Sequence, residues 1–409
     1  MPCSDTLSLI NADLGEGLRS VVKISGSRIA TVGKPPAARD AVLDLEGDRL
    51  LPGLINAHDH LQLNHLPRAE PARRYSHVRE WIAEMNRLRR VDAALKSAVA
   101  VPLADRLLLG GVKNLLSGVT TVAHHDPLHS SLLELQYPVR VVRRYGWAHS
   151  LYLDGESKTC ESQQRTPVDW PWIIHAAEGV DEQALEEFRR LEQLGCLRAN
   201  TLIVHGVALG DAERHRLIDA SAGLIWCPSS NLHLFGATAN VATLAAEGRA
   251  ALGTDSRLSG SRDLLAELRV AAERATLTSE ALQSMVTRDA AHLLRLEDCG
   301  VIAPGARADL LVLPAGLPLQ RADRAQIRLV MIDGVPLYGD RDLAQALGPP
   351  GHWVEVRVDG RAKALARFIA DRLLGLPAAE PGLELPARGA SAAAARRLDA
   401  VAGGVRGCA

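Results

Sequence analysis

Residues 51–65 read LPGLINAHDHLQLNH, and their interpretation decides how the rest of the chain is understood. An apolar run leads directly into His58-Asp59-His60. On an extended strand, side chains alternate between faces, so His58 and His60 project to one side and Asp59 to the other. Two imidazoles on one side of a strand end can grip a single metal ion. An isolated His-x-His is equally at home in a polar turn, so the decision rests on whether other strand ends supply further ligands.

Composition narrows the alternatives. The 409 residues carry 47 basic and 48 acidic side chains, a net charge of −1, with 47% hydrophobic and 3% aromatic content. A near-neutral, aromatic-poor chain has neither the basic surface of a nucleic-acid or membrane binder nor stacking platforms for bases. Cys3, Cys160, Cys196, Cys227, Cys299 and Cys408 are scattered without a CxxC pair, which reads as reduced thiols rather than a disulfide framework. The first residues lack the basic and apolar regions of a signal peptide, and no apolar run reaches membrane-spanning length. The expectation is a cytoplasmic protein acting on a small molecule, with no nucleic acid or membrane partner.

Residues 5–50 alternate apolar and polar positions between Gly and Asp turns, and residues 301–339 do the same. Both chain ends are therefore expected to build one small composite β-sandwich, from 1–52 plus 301–377. The segment 53–300 alternates apolar strand-like runs with helical periodicity: GLINAHDH, GVTTVAHHD, VRVV, WAHSLYLDG, WIIHAAEG, TLIVHGV, GLIWCPSSN and RAALGTDS, with stretches such as DEQALEEFRRLEQLG between. Eight buried strands with helical crossovers in such a length predict a (β/α)8 TIM barrel, an α/β fold. Between 140 and 174 there is no room for a full helix, so the barrel should be distorted there. Residues 378–409, rich in Ala, Gly and Arg, read as a flexible tail.

The polar groups collect at the C-terminal ends of the predicted strands, the face on which such barrels assemble active sites. His175 closes WIIH, His205 closes TLIVH, and Asp255 closes AALGTD. Singly, each histidine could be a satisfied core residue and Asp255 a turn or helix cap. Five such groups, each at a strand end and in chain order within one barrel-sized segment, are the pattern of one metal site. Glu178, three residues after His175, stands where a carboxylate could move protons for a metal-activated water.

The motifs LPGLINAHDH, HAAE, VHGVAL, CPSSNLHLFG and LGTDS resemble the amidohydrolase superfamily, in its deaminase and triazine-chlorohydrolase (cytosine deaminase-like) branch. The resemblance spans about residues 20–340. It implies a metal-dependent hydrolase of carbon–nitrogen bonds other than peptide bonds, in which metal-bound hydroxide attacks an sp² carbon. His58, His60, His175 and Asp255 would be the ligands, with Glu178, His205 and Asp255 as catalytic groups. The implied cofactor is one divalent ion, Zn2+ or alternatively Fe2+, because WAHSLYLDG lacks the lysine that two-metal members use, and Lys158 falls in the following loop. A deaminase of a heterocyclic or nucleoside-like amidine is expected, with hydrolysis of an amide, cyclic amide or other C–X bond as the alternative. A non-catalytic ligand-binding barrel would be expected to have lost part of this set, and all six residues are present. Gln62, Asn64, Trp81 and one of His124 and His125 are candidate substrate contacts, and a homodimer is implied only by the resemblance.

Overall fold

A computed structural model describes residues 6–15, 17–348 and 351–386. Five strands precede the first histidine pair: β1 (Thr6–Asp13), β2 (Arg19–Ser25), β3 (Arg28–Val32), β4 (Ala41–Asp44) and β5 (Arg49–Pro52). Eight short strands follow: β6 (Leu54–Asp59), β7 (Val119–His124), β8 (Arg140–Val141), β9 (Gly146–Ala148), β10 (Trp172–Ala176), β11 (Thr201–His205), β12 (Gly223–Trp226) and β13 (Ala250–Leu252). Their ladders are all parallel and form two arcs, β6–β7–β8 and β9–β10–β11–β12–β13. The arcs meet where β13 runs beside β6, and the Asp255 amide donates to the His58 carbonyl at 3.1 Å. Gly253 makes that approach feasible, since a Cβ there would sit 2.6 Å from His58 Cβ.

Alternation sorts the apolar side chains. Ile55, Ala57, Ala123, Ile173, Leu202, Val204, Ile225 and Ala251 fill the interior with Ala290 and Leu293 of the helix Arg288–Leu293. Their strand neighbours Leu54, Val122, Ile174, Ile203, Leu224 and Leu252 face outward onto helices. One such helix, Glu182–Gln193, is capped by Asp181, whose side chain accepts from the Ala184 amide at 2.9 Å, and buries Ala184, Phe188 and Leu191 along one stripe. Between β8 and β9 lie only residues 142–145, with no helix, so the irregular side expected at 140–174 is where the two arcs part. Contrary to the expectation of no room for a full helix between 140 and 174, Leu151–Arg165 is helical apart from a break at Gly155 (φ 76°, ψ 164°). Its start is capped by Ser150, whose hydroxyl accepts from Leu153 N at 3.2 Å. Lys158 therefore lies on a helix and not in a loop.

The remaining strands are β14 (Leu310–Leu313), β15 (Leu329–Ile332), β16 (Val335–Gly339), β17 (Trp353–Val358), β18 (Arg361–Ala366) and β19 (Leu383–Glu384). β5 and β14 pair antiparallel and join the two chain ends. Among the described residues these strands form one network of eleven, in the order β19-β17-β18-β16-β15-β14-β5-β1-β2-β3 with β4 beside β1. β14 is buried on both faces: Leu310 and Val312 pack with Leu9, Val22 and Leu50, whereas Leu311 and Leu313 pack toward the barrel with Leu51. This explains its uninterrupted apolar run LLVL.

Residues 378–386, read from composition as the start of a flexible tail, are anchored through Glu380. Glu380 is 3% exposed and paired with Arg257 and Arg324; residues 387–409 lie outside the described residues. No helix among the described residues is long and apolar enough to cross a membrane.

Candidate metal centre

Along β6, Ile55 and Ala57 face inward, so strict alternation would turn His58 outward. The β6–β7 ladder shifts register between Asn56 and Asp59, where three steps on β6 match two on β7. This bulge turns His58 into the barrel mouth. His60 lies past the strand end, with φ −101° and ψ 81°, and its ring meets His58 edge-on at 5.0 Å. The two histidines converge because of the bulge and the strand ending, not because of the two-residue period. Asp59 points away from them, as its position between them suggested. It is fully buried and accepts from Asn64 at 2.8 Å, Asn114 at 2.8 Å and Lys113 at 3.2 Å.

His175 arrives on β10 with regular alternation. His205 ends β11 and Asp255 follows β13, each with positive φ (75° and 54°), conformations that redirect the side chain at the rim. The donor atoms of His58, His60 and Asp255 lie within 4.8 Å of one another, as do those of His58, His175 and His205. His58 Nε2 and His175 Nε2 are 3.3 Å apart. Two nitrogens about 2.0–2.1 Å from a shared tetrahedral ion are separated by roughly that distance. His60 Nε2 is 3.8 Å from Asp255 Oδ1. The donor chemistry, imidazole nitrogens and a carboxylate, fits a divalent ion such as zinc.

The partners of the outer nitrogens assign the tautomers. His60 Nδ1 donates to Asp126 Oδ2 at 2.7 Å, His175 Nδ1 to the His149 carbonyl at 2.8 Å, and His205 Nδ1 to Asn231 Oδ1 at 2.8 Å. His175 and His205 thereby keep the Nε2 lone pair, directed inward. Burial opposes a charge on His60, but Asp126 and Asp255 outweigh it and raise the His60 pKa to about 9, so its Nε2 offers a lone pair once that proton is lost. Asp255 Oδ2 accepts from Ser230 and Ser259 at 2.7 and 2.9 Å, and Oδ1 from the Ser256 amide at 2.6 Å.

Electrostatics separate the two carboxyl groups. Burial would raise Asp255, but His60, His205 and these hydrogen bonds hold its pKa below the ordinary carboxylate value. Glu178 is driven well above it by burial, then by the charges of Asp255 and Glu187. Its Oε1 lies 3.5 Å from His205 Nε2. Burial lowers the pKa of His205, which keeps it neutral.

The candidate substrate contacts are distributed differently from the centre. Asn64 is buried between Asp59, Lys113 and the Arg257 amide. Trp81 packs with Leu66, Tyr75, Met85, Phe235 and Leu258 in an apolar cluster over the mouth. His124 points outward and its Nδ1 accepts from the Leu61 amide at 3.4 Å. His125 points inward, but both ring nitrogens are engaged, with His58 Nδ1 at 3.3 Å and the Ala148 carbonyl at 2.9 Å. Gln62 donates to Asp126 at 2.8 Å. Among the contributors that escaped the sequence reading are Asp126, which holds His60, Ser230, which holds Asp255, and His149, whose carbonyl holds His175. Asp126 stood in plain view after AHHD; His149 acts through its backbone, which leaves no side-chain signal.

Comparison with known proteins shows what the chain is similar to. The pattern defining the Amidohydrolase family matches residues 169–337. The 5-methylthioadenosine/S-adenosylhomocysteine deaminase of Desulfitobacterium hafniense (strain DSM 10664 / DCB-2) is 26% identical over 392 residues, covering 79% of this chain and 89% of that protein. Over residues 169–337 the chain is similar to the Amidohydrolase family. The chain is also similar to the 5'-deoxyadenosine deaminase of Methanothermobacter thermautotrophicus, at 26% identity over 81% of the chain and 92% of that protein. Its fold matches the atrazine chlorohydrolase of Arthrobacter aurescens TC1, solved with zinc, at a TM-score of 0.66 and 20% identity, covering 81% of this chain and 95% of that one.

Proposed function

We propose that this protein is a metal-dependent aminohydrolase, releasing ammonia from the amidine carbon of an amino-heterocycle or nucleoside-like compound. The observation that carries the reading is a buried Glu178 carboxyl, with raised pKa, beside His205 and a cluster of inward-facing imidazole nitrogens. His58, His60, His175 and Asp255 would hold one Zn2+ ion, with Fe2+ as the alternative. When bound, such an ion supplies Lewis acidity that brings the pKa of water toward neutrality.

The chain's own groups then divide the proton work. Asp255, kept ionised by His60, His205 and its hydroxyl donors, orients the attacking water. His205, with its Nδ1 proton committed to Asn231, presents Nε2 as an acceptor. That suits a hydrogen bond from water rather than polarisation of a substrate atom. Glu178 takes a proton from the water and returns it to the departing nitrogen, a role suited to a carboxyl whose environment favours the protonated form. The substrate class is supported by the two similar proteins named as deaminases of adenosine derivatives.

The test is a screen for ammonia release by zinc-loaded protein across aminopurines, aminopyrimidines, aminotriazines and their nucleosides. Ammonia matched by an equal amount of oxo product is expected from at least one class. Glu178→Gln should lower kcat on the order of 10³-fold with zinc content unchanged. Silence across the panel would sink the proposal. A carboxylic acid formed from a cyclic amide without ammonia would replace it with amide hydrolysis.

A further inference from the structure

Just past the second barrel strand lies a histidine shielded from solvent. His125 is 1% exposed. Its Nε2 lies 2.9 Å from the Ala148 carbonyl, an acceptor only, so Nε2 carries the proton and Nδ1 the lone pair. That lone pair faces His58 Nδ1 at 3.3 Å. His58 must therefore donate from Nδ1, which leaves Nε2 as its free donor atom, 3.3 Å from His175 Nε2. The ring of His125 also stacks on His175, with centroids 4.3 Å apart and planes 9° from parallel, and meets Trp147 edge-on at 5.5 Å.

We infer that His125 is a positioning residue for the metal centre: it fixes the tautomer of His58 and the plane of His175 at once. The other inward-facing histidines obtain their Nδ1 acceptor from a carboxylate, a carbonyl or an amide oxygen. None of these groups is placed to serve His58, whose acceptor is an imidazole. A relay therefore runs from the Ala148 carbonyl through His125 to His58 Nε2. It places β9 in mechanical connection with the ligand set, because β9 contributes the carbonyl that orients His125. The inference rests on reading His58 as a ligand, and it concerns how that ligand is held.

The experiment uses the full-length chain and Zn2+ as the probe. Zinc dissociation constants from competition with a chromophoric chelator are compared for wild type, His125→Phe and His125→Asn. Phenylalanine keeps the stacking surface and removes both hydrogen bonds; asparagine restores an acceptor close to the Nδ1 position. The expected result is 10–100-fold weaker zinc binding for His125→Phe and recovery of at least tenfold by His125→Asn. Binding by His125→Phe within threefold of wild type, or no recovery by asparagine, overturns the inference. If His125→Phe does not fold, the tautomer of His58 in metal-free wild type decides, read from long-range 1H–15N correlations of the ring. An Nδ1-protonated His58 upholds the role of His125 and an Nε2-protonated one overturns it. Wild type that fails to bind zinc would instead defeat the ligand reading, a result separable from the tautomer measurement.

Discussion

Glu267 is a carboxyl the proposed chemistry does not use, and it illustrates what burial does to a single residue. Its side chain is fully buried, Oε1 accepts from the Ser229 amide at 2.8 Å, and Oε2 has no hydrogen-bond partner. Burial is the largest influence and raises its pKa to about 7, against an ordinary value of 4.5. A raised folded-state pKa contributes stability that is complete below the ordinary value and is lost as pH rises through 7. Glu267→Gln has no such titration. Its stability relative to wild type should therefore improve by about 3 kcal/mol between pH 4 and pH 8, as read from urea unfolding at each pH. A difference that stays constant with pH would contradict this account of Glu267. Ser229 shares the helix Pro228–Phe235 with Ser230, which holds Asp255, so the same residue braces the seventh loop.

At the scale of elements, the site is closed by the segment that follows β6. The Val78 amide donates to the Glu178 carbonyl at 3.0 Å and the Val180 amide to the Ser76 carbonyl at 2.8 Å, an antiparallel bridge across His77 and Gly179. The helix Val78–Val91 begins there, capped by His77 and Glu80, and carries Trp81 into the apolar cluster. A Cβ at Gly179 would lie 2.5 Å from the Ser76 carbonyl oxygen. Gly179→Ala should therefore push this segment off the loop that bears Glu178. Steady-state kinetics should show kcat/KM falling by about 10–100-fold with zinc content unchanged. Unaltered kinetics would mean that the bridge does not position Glu178. Strand ends were legible in the sequence because each ligand candidate closes a run of apolar residues, as in WIIH and TLIVH. The bulge that turns His58 inward was not, because it arises from the pairing of β6 with β7 and not from either strand alone. The apolar cluster around Trp81 was not legible either, because its partners Phe235 and Leu258 are distant in sequence.

At the scale of the whole molecule, the C-terminal segment reaches back to the centre. Glu380 pairs with Arg257, two residues beyond Asp255, at 2.8 Å and with Arg324 at 2.6 Å, and Arg324 pairs in turn with Asp359 at 2.9 Å. Removing one member of a buried ionic cluster strands the others, at a cost of about 3–5 kcal/mol. Glu380→Ala should lose stability of that order in urea titration, while Glu384→Ala, on an exposed side chain, should change it by less than about 0.5 kcal/mol. Equal effects would remove the structural role assigned to Glu380. An Ala- and Pro-rich composition concealed this segment, since its partners lie 56 and 123 residues away in sequence. The barrel, by contrast, was readable from alternating strand and helix periods, and the network joining both chain ends from their shared β patterning. The central claim is that these elements converge on one ion. Its most direct test is a zinc-edge anomalous difference map from crystals grown with Zn2+. One peak per chain in bonding contact with His58, His60, His175 and Asp255 is predicted; no peak there, or a peak that contacts His205 and leaves Asp255 free, would contradict it.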